Sequence, residues 1–318
     1  MPRTIMGYVV RFTGVHQIGL ALLSVAVFLL SAVPLELQRR IVNDVIGKGT
    51  FRTLFWLAVT YGLVALTEQS LKLVLNVYRG WVAESTVRRL RNGVRGVGVA
   101  SDLASGSHAD TGVEVAMILE EAEPIGGFAG LSISEPLLQG GILVSVIGYM
   151  FYIEPELALL GLAFFVPQMV FVPLLQFAIN RRAEARILTK REISGTIVEG
   201  AFPEGHVLED APIQRVFELN MGIYKLKYSM NLLMNLMHHL AVAVALCVGG
   251  WFAIEGRIEV GTVVAIVGGL GKLNDPWGDL VNWAREFSVV GVKYRLFADA
   301  ANRLASTMRE RPVAALAD

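Results

Sequence analysis

The chain has 318 residues, of which 54% are hydrophobic and 18% are charged, and its mean hydropathy is +0.53. This composition is too apolar for an ordinary soluble domain, so we expect the apolar surplus to face lipid. The charges of the 28 basic and 28 acidic residues cancel. The basic residues lie in the connections between apolar segments and are not gathered on one binding face, so no nucleic-acid partner is expected. The single cysteine, Cys247, lies inside an apolar run, which excludes a disulfide framework and is typical of a small packing residue.

Six apolar segments are each long enough to cross a bilayer, because an α-helix rises about 1.5 Å per residue and the hydrocarbon core is about 30 Å thick. The first segment follows Arg3 and Arg11 as a secretory signal would. Val33 at its end is a poor cleavage site, however, and we interpret the segment as an uncleaved span. The sequence therefore predicts an all-α membrane protein with six transmembrane helices. The predicted spans are Val15–Val33, Leu54–Leu75, Ile125–Ile153, Leu157–Ile179, Leu232–Ile254 and Val260–Leu280.

Basic residues between these spans are biased to one side, and such a bias marks the cytoplasmic face. They gather near both termini and in the connections after spans two and four, at positions 79–95, 181–191, 215–227 and 293–311. The connection between spans three and four has none. Both termini are therefore predicted to be cytoplasmic, in a plasma membrane of the bacterial inner-membrane type.

Two connections on the predicted cytoplasmic side are long, from about Asn76 to Pro124 and from about Asn180 to Ser229. Their sequence is charged and favours helix, and it is not of low complexity. We therefore expect the spans to continue as long cytoplasmic helical extensions, each pair joined by a short cross-piece. The external connection at Glu154-Pro155-Glu156 leaves room only for a tight turn.

Short motifs follow one another in a characteristic order along these spans. They are Leu90-Arg91, Thr111-Gly112, Glu154 to Leu160 with Pro167, Gly249-Gly250 through Gly256, Gly261-Thr262, Pro276 and Arg295-Leu296-Phe297. In this order and spacing the chain resembles, over almost its whole length, the type-1 transmembrane domain of ATP-binding cassette (ABC) exporters.

The resemblance implies a domain-swapped dimer, formed by two copies or by this chain and a paralogous permease, in contact with membrane lipids. It also implies two coupling helices that contact ATPase domains, within Val113–Glu121 and Leu208–Leu219. The alternative is that both segments are amphipathic turns that cap helix ends. The candidate coupling residues are Val113, Met117, Glu120, Glu121, Ile213, Val216 and Phe217.

A phosphate-binding loop is not expected on this chain. Gly271-Lys272 comes nearest, but Ile266 and Leu273 stand where such a loop needs a glycine and a Ser or Thr. The chain is therefore interpreted as a non-enzyme without a cofactor of its own. A separate ABC ATPase subunit would bind ATP and Mg²⁺.

Polar side chains inside predicted spans are candidates for a cavity lining, because a charge at that depth needs protein or water beside it. Most lie roughly 11–20 residues from the external ends, about 17–30 Å of helix, and would form one layer. Glu68 and Lys72 are four residues apart, which predicts an ion pair, and Asp275, Asp279, Asn282 and Glu286 form one stripe. The alternative is that several of them snorkel to the interface or pair structurally. The candidate lining residues are Glu68, Lys72, Gln139, His238, His239, Lys272, Asn274, Asp275 and Asp279.

Metal binding is not predicted, because adjacent histidines such as His238 and His239 point about 100° apart on a helix. The predicted organisation is a transmembrane domain over residues 1–304 and a short cytoplasmic tail over 305–318, with no nucleotide-binding domain. Its predicted function is the permease subunit of an ATP-driven exporter. Pro203, Gly205 and Pro212 would interrupt the second cytoplasmic extension, which keeps open a scaffold without a motor. An ion-coupled secondary transporter is the third alternative.

Overall fold

The computed structural model describes residues 2, 4–47, 49–105, 122–198 and 210–309. All regular secondary structure within these ranges is helical, in agreement with the predicted all-α class. The helices are α1 (Ile5–Ser31), α2 (Val33–Ile46), α3 (Phe51–Ser105), α4 (Ala122–Leu131), α5 (Ser134–Ile153), α6 (Pro155–Ala163), α7 (Val166–Val198), α8 (Asp210–Ile254), α9 (Val260–Gly271) and α10 (Asn274–Arg309).

Five described segments are long and apolar enough to cross a membrane. The sixth predicted span, Val260–Leu280, is divided between α9 and the start of α10 by a turn at Lys272 and Leu273, and its crossing of the membrane stays a prediction. The five segments are Ile5–Ile46, Phe51–Gly93, Ala122–Ile153, Pro155–Lys190 and Ala211–Ile254.

The sequence prediction treated spans three, four and six as uninterrupted, and the structure corrects this. Each contains a two-residue turn, and the helix that follows the turn has a proline in its first turn: Pro136 in α5, Pro167 in α7 and Pro276 in α10. A proline lacks the N–H that an interior helical position needs but is well tolerated where a helix begins. These prolines therefore favour a helix restart over a continuous span.

Several helices continue far beyond the length of a bilayer crossing. Helix α3 has 55 residues, α8 has 45 and α7 has 33, whereas about 20 residues cross the hydrocarbon core. The predicted helical extensions after span two, after span four and before span five are thus present, and the one predicted before span three lies mostly outside the described residues. The connection between the predicted spans one and two is mostly helical, as α2, with Pro34 in its first turn.

The chain divides into two compact units. The first comprises Met1–Tyr149 and Asp275–Asp318. In this unit the backbone of α3 lies directly against two glycines of α4, which have no side chain. A Cβ at Gly130 would lie 2.5 Å from the Arg79 carbonyl oxygen, and a Cβ at Gly126 would lie 2.9 Å from the Ala83 carbonyl oxygen. Two glycines four residues apart lie on one helical face and permit this close approach.

An apolar core in the same unit joins one end of α1 to α3, α4 and α10. Tyr8 and Tyr294 are buried with ring centroids 5.6 Å apart, and the Tyr294 hydroxyl donates a 2.9 Å hydrogen bond to the Pro2 carbonyl oxygen. The core residues are Ile5, Tyr8, Val9, Val87, Leu90, Ala122, Ile125, Phe128, Ala129, Val290, Tyr294, Phe297 and Ala298.

The second unit comprises Met150–Asn274. Helix α6 begins at Pro155 directly after Glu154, which confirms the predicted tight turn. Arg257, in the turn between α8 and α9, lies 3.0 Å from the Glu156 carboxylate and 3.9 Å from the centre of the Phe252 ring. Cys247 is exposed, so the packing role expected for it is not seen in the described chain.

Candidate functional site

A connected group of polar side chains lies in the first unit, where α3, α5 and α10 supply one part each. One Arg79 guanidinium nitrogen, Nη1, lies 2.6 Å from the Glu135 carboxylate. The Arg79 Nε donates a 2.9 Å hydrogen bond to the Ser134 hydroxyl, which in turn donates to the Gly130 carbonyl oxygen at 3.0 Å. The close approach of α4 to α3 therefore sets the position of the residues that hold Arg79.

Gln139 extends this group toward α10. Its side-chain amide donates one 2.9 Å hydrogen bond to Glu135 and another, also 2.9 Å, to Asp279. Gln139 lies one helical turn after Glu135 on the same face of α5, which is why both reach the same surroundings. We call the five residues Arg79, Ser134, Glu135, Gln139 and Asp279 the polar cluster.

The polar cluster is buried at one end and exposed at the other. The Arg79 side chain is 8% exposed and that of Glu135 15%, whereas Asp279 is an exposed residue. The Arg79 Nη2 is buried and has no hydrogen-bond partner in the described part of the chain. A buried charge is tolerated only when it is paired, so Glu135 is the group that allows Arg79 to lie there.

The charges of the polar cluster do not balance. One guanidinium faces two carboxylates, and with both ionised the group carries one net negative charge at its accessible end. The excess carboxylate at the accessible end provides acceptors for a polar or cationic group next to Asp279.

Two of the predicted lining residues, Gln139 and Asp279, are thus brought into direct contact. Glu68 and Lys72 form the ion pair predicted from their spacing, with 2.7 Å between the ammonium and carboxylate groups. The Glu68 side chain is 7% exposed. Asp275 is exposed on α10, one turn before Asp279.

The remaining predicted lining residues lie in the second unit, or at its end. His238 and His239 are neighbours on α8 with ring centroids 5.5 Å apart, and a Cβ at Gly271 would lie 3.9 Å from the His238 ring. Lys272 is in the turn after α9, and Asn274 begins α10. The single layer predicted across both units stays a prediction. Among the described residues no three His, Cys, Asp or Glu side chains are arranged to hold a metal ion.

Three members of the polar cluster, Arg79, Ser134 and Glu135, were not among the candidate lining residues predicted from the sequence. Arg79 was counted among the cytoplasmic basic residues, and Glu135 was overlooked although it lies inside the predicted third span. A carboxylate at that position was a usable signal, because intramembrane charges need a partner. The identity of the partner was not readable, since no sequence spacing connects α3 with α5.

The predicted coupling residues Val113, Met117, Glu120 and Glu121 lie outside the described residues. The second set, Ile213, Val216 and Phe217, forms the first turns of α8 and is continuous with the rest of that helix. No separate cross-piece is present from Asp210 onward, because Pro212 sits in the first turn of α8 and does not interrupt it. Ile213 and Phe217 are exposed, and their contact with an ATPase stays a prediction.

Five long apolar helices and a charge cluster buried between helices define an α-helical integral membrane protein. A family model of the ABC transporter transmembrane region matches residues 17–201, and the chain belongs to this family. It is therefore the membrane-spanning part of an ABC transporter. A comparison with curated protein sequences gives no match.

Proposed function

We propose that the chain is the permease subunit of an ATP-driven exporter and works with a separate ATPase subunit. The observation that carries the proposal is the length of α3, whose 55 residues extend about 80 Å. A bilayer core takes up about 30 Å of this length, so the remainder forms a rigid lever outside the membrane. The family match supports the transporter class, and the exporter direction rests on the resemblance of the motif order.

The ATPase partner can be tested by affinity purification of the full chain from its own membranes in mild detergent. Copurification of a protein with ATPase activity, sensitive to vanadate, is expected. The matched variants are Phe217→Ala, which removes an exposed apolar side chain from the first turns of α8, and Tyr228→Ala, an exposed aromatic residue further along the same helix. Phe217→Ala should reduce copurification, whereas Tyr228→Ala should leave it unchanged.

A stable complex that contains no ATPase would contradict the proposal and would favour a scaffold in a larger membrane assembly. Transport that follows a proton gradient and needs no ATP would select an ion-coupled transporter instead. Both outcomes would leave the family membership intact.

The polar cluster and the neighbouring charges are proposed to line the transport pathway, for a polar or amphipathic substrate. Asp275 and Asp279 are exposed and lie one turn apart on α10, where they would contact a substrate directly. Glu68 is paired with Lys72 and buried, so its role would be indirect. Unchanged transport and unchanged ATPase stimulation in Glu68→Ala and Asp275→Ala would remove this assignment.

We further propose that the working unit contains two permease chains, either two copies or this chain and a paralogue, in a plasma membrane of the bacterial inner-membrane type. The expected orientation has both termini in the cytoplasm. Mass photometry of the detergent-purified protein would distinguish a dimer from a monomer. Labelling of a cysteine placed at Pro2 from one side of intact cells would test the orientation.

A further inference from the structure

A polar groove of about 320 Å³ runs between α1 and α3 in the first unit, away from the polar cluster. One side is formed by residues 12–16 of α1 and the other by residues 81–92 of α3, about three helical turns. Its lining residues are Phe12, Thr13, His16, Trp81, Val82, Ser85, Thr86, Arg88, Arg89 and Asn92. The groove therefore offers two guanidinium groups together with hydroxyl and amide side chains.

The two arginines differ in how they are held. Arg89 donates a 3.1 Å hydrogen bond to the Phe12 carbonyl oxygen, and its guanidinium lies 5.5 Å from the centre of the Phe12 ring. Arg88 is exposed and has no hydrogen bond or ion pair to the described residues. Arg11 adds a third positive charge, 5.9 Å from the same ring, and the nearest acid in sequence is Glu84, one turn before Arg88. The local charge is therefore strongly positive.

Aromatic side chains close the end of the polar groove that faces the apolar part of the helices. The His16 ring is hydrogen bonded to the Tyr78 hydroxyl at 2.9 Å and meets the Trp81 ring edge to face, with 5.0 Å between centroids. Tyr78 and Trp81 are themselves stacked at 6.2 Å. Aromatic groups with one polar edge are typical of the level at which lipid headgroups begin.

A second groove, of about 620 Å³, continues from these aromatic residues along α3. It shares His16 and Trp81 with the polar groove, and its other lining residues are Leu73, Val74, Val77 and Tyr78. Leu73 is 65% exposed, Val77 64% and Trp81 52%. The two grooves thus form one continuous surface that is cationic at one end and apolar at the other.

The depth of this surface in the membrane follows from α1. The predicted second span ends at Leu75, but Tyr78 on α3 is hydrogen bonded to His16, just inside the predicted first span, so the boundary on α3 lies beyond Tyr78. With the first span beginning at Val15, Phe12 lies about 5 Å beyond the hydrocarbon boundary, within a headgroup layer about 5–7 Å thick. Arg89 contacts Phe12 and is therefore at the same level. The apolar groove lies on the other side of Trp81, at the level of the acyl chains.

We propose that the surface formed by Arg88, Arg89, Trp81 and the apolar groove along Leu73, Val74 and Val77 binds one anionic phospholipid, with its phosphate on the arginines and an acyl chain on α3. An anionic headgroup is proposed because basic pockets between transmembrane helices bind anionic headgroups. A lipid is proposed over a free phosphate ion because the neighbouring apolar groove can bind an acyl chain. This site is distinct from the transport pathway proposed above, although its depth rests on the proposed membrane placement.

The site can be tested by native mass spectrometry of the full chain in mild detergent, titrated with phosphatidylglycerol or with phosphatidylcholine of the same acyl chains. Phosphatidylglycerol should bind more tightly. Arg88→Gln should weaken its binding about five-fold and leave phosphatidylcholine binding unchanged. Trp81→Ala should weaken both lipids. Arg215→Gln is the matched control, because Arg215 is an exposed arginine on α8 outside both grooves, and it should have no effect.

Four outcomes would overturn the proposal. Equal affinity for the two lipids, or equal effects of Arg88→Gln and Arg215→Gln, would show that the arginines do not recognise a headgroup. Displacement of phosphatidylglycerol by millimolar inorganic phosphate would assign the polar groove to a free anion. Lipid that binds the monomer and is lost from the dimer would assign the surface to a second copy. None of these measurements involves an ATPase or transport, so their failure leaves the proposed function untouched.

Discussion

The Arg79 guanidinium lies 2.6 Å from the Glu135 carboxylate, and this ion pair joins α3 to α5 at a buried point. Through Gln139 the same group reaches Asp279 on α10. Three helices that are distant in sequence are therefore connected by one set of polar contacts. A change in their relative positions must break or rearrange those contacts, which makes the polar cluster a sensitive place to probe both stability and transport.

Removing one partner of the buried pair should destabilise the protein strongly. Arg79→Gln leaves the Glu135 charge without its counter-ion, and the expected loss is about 3 kcal/mol of unfolding free energy. Unfolding of the purified protein by SDS or by heat in detergent would measure it. Arg40→Gln is the control, because Arg40 pairs with Glu36 at the surface with its side chain 62% exposed, and it should change stability by less than about 1 kcal/mol.

A double variant, Arg79→Met with Glu135→Met, distinguishes the charge from the packing. Replacement of both partners by apolar side chains leaves no uncompensated charge, so the double variant should be more stable than Arg79→Gln. If the double variant is the least stable of the set, the contribution of Arg79 lies in packing and hydrogen bonding to Ser134.

Even one methyl group should disturb the contact between α3 and α4. Gly130→Ala would bring a Cβ to 2.5 Å from the Arg79 carbonyl oxygen, which belongs to backbone and cannot rotate away. The expected loss is about 1–3 kcal/mol, measured as a lower thermal midpoint. Gly127→Ala is the matched control on the same helix, because a Cβ there has no described atom within 4 Å. Equal midpoints for the two variants would contradict the close packing.

Features that depend on local sequence could be predicted for this protein. Apolar length predicted the five segments that are long enough to cross a membrane, and the short connection at Glu154-Pro155-Glu156 predicted the tight turn before α6. The four-residue spacing predicted the Glu68–Lys72 ion pair. Each of these features depends on residues close together in the sequence. The restarts at Pro136, Pro167 and Pro276 were also readable in principle. They were missed because apolar composition alone does not separate a continuous span from one with a turn.

The part of the site that could not be predicted depends on contacts between helices. Gln139 was selected for its polarity, but its partners Glu135 and Asp279 follow from how α5 and α10 pack. Arg79 was assigned to the cytoplasmic basic residues because it follows the predicted second span on the side where Lys and Arg are enriched. Its burial is a consequence of Gly126 and Gly130, which let α4 approach α3 closely.

Alkaline pH should weaken the core around Tyr294, which lies beyond the predicted spans. Burial raises the pKa of Tyr294 to about 12, from 10.0, and the neighbouring Tyr8 adds to the shift. Below pH 10 the hydroxyl is protonated in both states and its contribution to stability is complete. Between pH 10 and pH 12 the unfolded chain loses this proton first, so the contribution falls.

The test compares the wild type with Tyr294→Phe, which lacks the hydroxyl and its hydrogen bond to Pro2. The wild type should be more stable near neutral pH, and the difference in thermal midpoint should shrink as the pH rises from 10 to 12. A difference that stays constant over this range would show that the hydroxyl does not titrate differently in the folded state.

Asp279 should determine how the protein responds to cationic compounds if the polar cluster contacts substrate. Asp279→Ala removes the exposed carboxylate and the hydrogen bond from Gln139. A hydrophobic cation such as tetraphenylphosphonium should then need about a five-fold higher concentration to stimulate ATP hydrolysis by the reconstituted complex.

The variant Asp279→Asn separates the charge from the hydrogen bond, because it keeps an acceptor for Gln139 but loses the charge. A defect equal to that of Asp279→Ala would therefore assign the effect to charge, and a wild-type response would assign it to the hydrogen bond. Asp299→Ala, an exposed acid further along α10, is the control and should respond as the wild type does. If Asp279→Ala and Asp299→Ala respond alike, Asp279 does not contact the cation.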